Sequence, residues 1–385
     1  MLPILYPANT QKNGFFANNG LGFIKNCTRC QVTEERNGAF LLEMDVLITD
    51  RLAEQITPMA VIKCIPNAFD SAQLFEIYFV TKNDKTISVK AQHIRYRLSA
   101  NIFTDRYIPV QNKTPAQTWE RVQTYLYYDN EFTFTSDIVT AGIPTAAVNE
   151  PIRMGDFLLG EEGSMLDTFG GEYAFNNYEV SLLTARGSDT GICLRCGSGV
   201  ASFEYEADTS SMYSDILPYA RVQYKKTTGE NVGSLYISLD PISTGNTVLQ
   251  SPRGLTYDFS QNFYDEYPDF FIETVSGANP VQASYDTALS YLRTLANKYM
   301  NQNSETLKNL SVTLTIDTQP EIDQVQACKL CDTVAVYYEP LNFTATAKVF
   351  KIVFDVLQEK NITVELGNAK KNLSKFFSNI NIGDV

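Results

Sequence analysis

The stretch Phe40-Leu41-Leu42-Glu43-Met44-Asp45-Val46 decides the fold class. From Leu42 onward, apolar and acidic side chains alternate with a period of two. That is the pattern of a strand with one face on a core and the other in water. The same signal recurs on either side. Phe75-Glu76-Ile77-Tyr78-Phe79-Val80 and the alternating run from Ile87 to Tyr96 read as further strands. Asn18-Asn19-Gly20, Arg36-Asn37-Gly38 and Lys82-Asn83-Asp84-Lys85 punctuate them as turns. Short strands at regular spacing predict a β-barrel or sandwich over residues 1–104. Composition agrees: 22 Tyr and 23 Phe favour pleated, half-buried surfaces, and 44% hydrophobic residues suffice for packed interiors.

Beyond residue 104 the character changes. Thr114-Pro115 is a helix start, with Thr at the N-cap and Pro at the first helical position. Trp119, Val122 and Leu126 follow as an apolar stripe at helical spacing. This helix opens a second unit, 105–213, which includes a Gly-rich stretch and the strand Tyr178-Glu179-Val180-Ser181-Leu182. Strand character resumes from Met212 to Leu239. An aromatic-dotted insertion, 246–307, closes with a helix from about Val281 to Tyr299 that carries Leu289, Leu292 and Leu295 on its apolar side. Leu310–Ile316, Val334–Tyr338, Ala345–Val356 and Ile362–Gly367 read as strong strands. Ala369–Phe377 reads as a terminal helix within 369–385. The segments 214–245 and 308–368 are expected to pack together as a second β-rich unit. At 385 residues, a chain of about two to four domains is expected.

Residue counts exclude much chemistry. His93 is the single histidine, so the zinc sites that need two or three His ligands are impossible. A Ser/His/Asp triad would have to use His93, which sits in a strand-like run with no G-x-S-x-G elbow. Six of the seven cysteines form C-x-x-C pairs: Cys27/Cys30, Cys193/Cys196 and Cys328/Cys331, with Cys64 left over. Two such pairs are formally a tetrahedral zinc set, and Cys193-Leu-Arg-Cys196-Gly197 resembles a zinc knuckle. All three pairs, however, lie beside strand-like sequence. On a regular strand, residues i and i+3 face opposite sides, so reduced cysteines filling β interiors are the expectation. Glu34-Glu35 and Glu161-Glu162 are adjacent acids that read as solvated turns or caps rather than a glycosidase pair. Gly163, Gly170 and Gly171 belong to no phosphate-binding motif. No catalytic, cofactor-binding or metal-binding residue is assigned.

The net charge is −13, from 31 basic and 44 acidic residues. This opposes binding to nucleic acid by phosphate neutralisation, so no sequence-specific nucleic-acid contact is expected. No stretch approaches the roughly 20 apolar residues of a membrane span, and the start MLPILYPANTQKNG lacks a signal-peptide pattern. Synthesis and folding in a cytoplasm, without membrane insertion, are expected.

Dispersed motifs carry a family likeness. Leu2-Pro3-Ile4-Leu5-Tyr6 with Asn19-Gly20-Leu21-Gly22 is similar to the start of prophage tail proteins of the tail-associated lysin, or prophage endopeptidase tail, family. Cys30-Gln31-Val32-Thr33-Glu34-Glu35-Arg36-Asn37-Gly38 and Ala91 to Leu98 continue the likeness. So do the run from Gly163 to Tyr173, Arg186-Gly187-Ser188-Asp189, Asp332 to Val336 and Val364-Glu365-Leu366-Gly367-Asn368. The resemblance implies a mainly β fold with α+β insertions, like the baseplate hub of contractile-tailed phages. In that fold two tail-tube-like antiparallel β-barrels are joined by two linking domains. It implies a homotrimeric tail-tip ring that contacts distal tail, tail-tube and tape-measure proteins in the virion and lets DNA pass. Peptidase activity in this family belongs to C-terminal extensions, and the chain is expected to end with the hub region at Val385. A peptidoglycan endopeptidase and a cell-wall or receptor-binding module are the competing readings. The second would use the aromatics between 246 and 275, including Tyr257, Phe259, Phe263 and Tyr264. A phage-tail-like bacteriocin hub would look the same in sequence.

Overall fold

A computed structural model describes residues 2–103, 112–144, 152–160, 163–196, 199–208, 212–227, 231–246, 251–276, 279–303, 311–318, 322–338 and 343–370, with positions 110, 210, 249 and 307. Alternation and turn residues divide the N-terminal region into seven strands: β1 (Ile4–Tyr6), β2 (Gly22–Phe23), β3 (Cys27–Glu35), β4 (Phe40–Leu47), β5 (Val61–Cys64), β6 (Gln73–Lys82) and β7 (Thr86–His93). They pair antiparallel in the order β2-β1-β5-β6-β7-β4-β3. β4 buries Phe40, Leu42, Met44 and Val46; β7 buries Ile87, Val89, Ala91 and His93. Each large apolar side chain removed from water contributes about 1.5–3 kcal/mol, which fixes the register, because a one-residue slip would expose the whole set.

Three strands form a separate small sheet: β8 (Thr133–Ser136), β9 (Glu172–Asn176) and β10 (Glu179–Leu183). β10 runs parallel to β8 and antiparallel to β9. The helix Pro115–Val122 begins as expected, with a capping box between Thr114 and Gln117 and Pro at its start. It buries Trp119 and Val122, and Trp119 stacks on Phe134 at 4.9 Å. Leu126 is not on this helix. A short 3-10 turn, Gln123–Tyr125, follows Val122, and Leu126 takes extended backbone to bridge with Phe103.

The remaining strands are β11 (Asp189–Cys196), β12 (Gly199–Asp208), β13 (Asp215–Lys226), β14 (Asn231–Ser238), β15 (Ile242–Ser243), β16 (Gly254–Asp258), β17 (Ile272–Ser276), β18 (Asn279–Pro280), β19 (Ser311–Thr318), β20 (Thr333–Tyr338), β21 (Phe343–Asp355) and β22 (Lys360–Lys370). The path β21-β20-β11-β12-β19-β22 closes on itself through a β21–β22 pairing. β21 is thirteen residues long and is shared. Its first half pairs with β20, whereas Lys351–Asp355 pair with Gln31–Glu35 of β3. One thirteen-stranded sheet therefore runs from β2 to the closed circuit.

The chain divides into two compact units, 1–204 with 314–385, and 205–313. In the second, β13 carries β14, β15, β16 and β17 on its edges, and Phe259, Phe263, Leu292 and Leu295 pack with Ala220 and Ile237 in the core. The expected grouping of 214–245 with 308–368 thus differs from the observed pairing. β13 and β14 pair within the sheet of 254–280, while β11 and β12, placed in the linking domain from sequence, lie in the closed circuit. Strand periodicity gives no partner, and the insertion brings its own edge strands and helix. Ala369 and Lys370 continue strand β22 rather than opening a helix; the rest of that expected helix lies outside the described residues. The helix read from Val281 to Tyr299 runs from Gln282 to Gln302, with Leu292 and Leu295 buried and Leu289 packed partly against the core. Among the described residues, no helix is long and apolar enough to cross a membrane.

Candidate functional site

The polar residues of the first unit meet where β3, β7, β9 and β21 converge. His93, at the end of β7, is fully buried and stacks on Phe40 at 4.4 Å, with the Phe75 ring edge-on at 5.6 Å. Its Nδ1 accepts the Arg95 backbone N–H at 3.2 Å, so the proton sits on Nε2, which donates to Gln73 Oε1 at 3.1 Å. Both ring nitrogens are thus committed to structure. Burial, reinforced by the Arg95 guanidinium, holds the imidazole pKa well below its ordinary value. The ring is neutral in the fold, whereas the unfolded chain takes up a proton below about pH 6.5. The unfolded state then binds more protons. Stability is therefore full above about pH 6.5 and falls, by up to about 1.4 kcal/mol per pH unit, as pH drops from there towards the folded pKa. Urea unfolding of wild type and His93→Gln at pH 7.5, 6 and 5 is expected to show the wild type losing this increment and the variant lacking it. Parallel curves would remove His93 as the source.

Gln73 also organises a joint to the small sheet. Its Oε1 accepts the Asn177 N–H at 2.7 Å and its Nε2 donates to Asn176 Oδ1 at 2.9 Å. Asn177, at φ 54°, returns the contact: its Oδ1 accepts the Leu74 N–H at 2.9 Å and its Nδ2 donates to Ala72 O at 3.1 Å. Asn37, at φ 54° in the β3–β4 turn, makes a matching fork. It accepts the Tyr173 N–H at 2.7 Å and donates to Gly171 O at 3.1 Å. Gly171 has φ 90°, and a Cβ there would lie 2.5 Å from Leu183 O, so this close approach needs glycine. The Arg95 guanidinium lies over the Phe175 and Tyr96 rings and donates to Gly38 O.

Ion pairs tie the same region to β21. Buried Glu34 accepts Arg186 Nη1 at 2.7 Å, and Arg186 Nη2 reaches Asp70 at 3.6 Å. Burial raises the Glu34 pKa against the opposing pull of Arg186. Glu172 binds Lys348, the Arg186 backbone N–H at 2.7 Å and Arg36 at 3.7 Å. Burial works against its charged form, but these donors prevail and hold its carboxyl below the usual range. Glu34 is therefore an interior ion-pair partner, in contrast to the solvated acid read from sequence. Glu161 and Glu162 lie outside the described residues.

The cysteines divide by location. A register shift between Cys27 and Arg29 inserts a bulge in β3. That extra residue resets the alternation, so Cys27 and Cys30 are in thiol–thiol contact, and Cys30 also meets Cys64. The rule that i and i+3 face apart fails here because the strand is not regular. The Cys30 hydrogen bond and burial raise the Cys27 thiol; Cys30, between a lowering bond from Cys27 and a raising one from Cys64, is also held well up by burial. Cys328 and Cys331 are buried, and burial pushes each up to about 12. Cys193 is half-buried on β11, and the Cys196 side chain lies outside the description. The four raised thiols, Cys27, Cys30, Cys328 and Cys331, are poor nucleophiles, since the thiolate is the reactive form. Among the described residues, no group of three or more His, Cys, Asp or Glu is arranged to hold a metal ion. Gly163 donates its N–H to Asp167 at the start of the helix Met165–Phe169. The aromatic run is largely core: Phe259 and Phe263 are buried, the Tyr257 ring packs tilted against Tyr299 at 4.2 Å, Tyr267 stacks on Tyr291 at 4.0 Å, and Tyr264 is exposed.

What these contacts build is a polar joint within a β-sheet system, and it can be set beside the proteins that the chain resembles. Residues 188–376 match the family model described as prophage endopeptidase tail. The fold is similar to prophage tail protein gp18 from Listeria monocytogenes EGD-e, with 14% identity, 98% of each chain covered and a TM-score of 0.53. It is also similar to the 43 kDa tail protein of prophage MuSo2 from Shewanella oneidensis, with 10% identity, 96% of this chain and 98% of that one covered, and a TM-score of 0.51. No curated protein matches significantly. The likeness to prophage tail proteins read from the sequence therefore stands, as does the mainly β fold with helical insertions.

Proposed function

We propose that the chain is a structural hub of a phage or prophage tail tip, assembling as a homotrimer whose ring continues the tail tube and lets DNA pass. The observation that carries this reading is the shared strand β21, which fuses a seven-stranded antiparallel run to a closed six-stranded circuit. Two tube-like β systems in one chain let three chains present six, the number that matches a sixfold tube to a threefold tip. The net charge of −13 per chain suits a lumen that repels the DNA backbone. Distal tail, tail-tube and tape-measure proteins are the partners, and the virion tail is the location. The chemistry of the joint supports a non-enzymatic role, because its one histidine is locked by two hydrogen bonds in an apolar stack.

Native mass spectrometry and electron cryomicroscopy of the purified chain, alone and with tail-tube protein, test the reading. A threefold ring with two superposable barrels per chain is the expected result; a stable monomer in both conditions would overturn it. A zymogram on peptidoglycan is expected to stay uncleared, and clearing by the pure chain would instead favour the lytic reading.

A further inference from the structure

The geometry points to a binding site for a phosphate ester of a polyol or sugar in a cavity of about 450 Å³ lined by Lys12, Lys63, Ser71, Thr133, Asn176 and Glu179. The volume falls in the range of small-molecule sites, about 300–1,000 Å³. The Lys12 Nζ donates to Glu131 O at 2.6 Å and lies 4.7 Å from the centre of the Tyr178 ring. The Lys63 Nζ donates to Phe15 O at 2.6 Å and lies 5.5 Å from the Tyr6 and Phe16 rings. A carbonyl and a ring thus fix each ammonium, and each keeps two of its three donors. Among the described residues, neither Lys12 nor Lys63 is in an ion pair, whereas Lys90, Lys298, Lys348 and Lys351 are, so neither cation of this cavity is neutralised by a carboxylate.

The walls are spent on themselves. Asn176 Oδ1 accepts from Gln73 Nε2 at 2.9 Å and Ser71 Oγ at 3.2 Å, and its Nδ2 donates to Glu179 at 2.9 Å. What remains for a ligand is two lysine charges on the lining of one cavity, the exposed Thr133 and the second oxygen of Glu179. In a chain of net charge −13, two unpaired cations at one cavity select an anion. Lysine point charges suit a tetrahedral phosphate, whereas a planar carboxylate is best met by the arginine fork. Glu179 accepts from a polyol hydroxyl, and the exposed Phe16 ring offers the sugar an apolar face.

Isothermal titration of the full chain with sn-glycerol 3-phosphate, glycerophosphoglycerol and glycerol tests this. Saturable binding of the phosphates, none of glycerol, and weakening with added sodium chloride are expected. Lys12→Gln and Lys63→Gln should each weaken binding about tenfold, as loss of a charged hydrogen bond does, while Lys90→Gln binds as wild type. Tight binding of both phosphates supports the site and marks its source as a polyol-phosphate polymer. Binding of the monoester alone supports it and marks a free phosphorylated metabolite. Absence of saturation, equal binding of glycerol, or retained affinity in a folded double lysine variant would overturn the assignment. Should the variants not fold, wild-type salt dependence and the comparison with glycerol decide alone.

Discussion

Gly187→Ala is expected to lower stability by about 3 kcal/mol or more, at the upper end of overpacking costs. A Cβ at Gly187 would stand 2.1 Å from the carbonyl carbon and oxygen of Cys331 and 2.4 Å from the Asp332 nitrogen. These are backbone atoms, so no side-chain rotation relieves the overlap. The chain is pinned on both sides: the Arg186 N–H donates to Glu172 Oε2 at 2.7 Å, the Ser188 N–H donates to Asp332 Oδ1 at 3.0 Å, and Ser188 O accepts the Thr333 N–H at 2.9 Å. Cys331 already holds φ 71°, a strained value for a residue with a side chain. Urea unfolding followed by circular dichroism measures the effect, and an unchanged midpoint would mean that the β11–β20 approach is softer than its geometry.

Arg186→Met is the second large effect, with an expected loss of about 3–5 kcal/mol. Removing the guanidinium strands Glu34 with 5% of its surface exposed and takes away its 2.7 Å partner. The cost lies in the uncompensated carboxylate rather than in the pair, since replacing a whole buried pair is often neutral. The double variant Arg186→Met, Glu34→Gln is therefore expected to recover most of the loss. Equal midpoints for the single and double variants would refute that account.

Legibility in the sequence followed the range of each interaction. β4 and β7 were readable because one-sided burial imprints a period of two on consecutive residues. The capping box at Thr114 was readable because its partners lie three residues apart. Cys27 and Cys30 were misplaced because the bulge between Cys27 and Arg29 exists only against β4. Glu34 looked like a surface acid because its partner is 152 positions away. Arg36-Asn37-Gly38 showed as a turn, yet nothing in it announced that Asn37 would bond residues 171 and 173. Gln73 and Asn177 carried no motif at all. Their role arises from side-chain amides substituting for strand pairing, where the signal is an Asn at positive φ. The partners of β13 and β14 were lost for the same reason as those of β11: alternation marks a strand but not its neighbour.

The pairing of β21 with β3 has a mechanical consequence. Its five registered residues, Lys351 to Asp355 against Glu35 to Gln31, join the two β systems by a hydrogen-bonded ladder. Tension applied along these strands loads all the ladder bonds together in shear, so rupture must be concerted instead of proceeding bond by bond. Force entering at one β system therefore passes to the other as through a stiff strut, with little compliance at the seam.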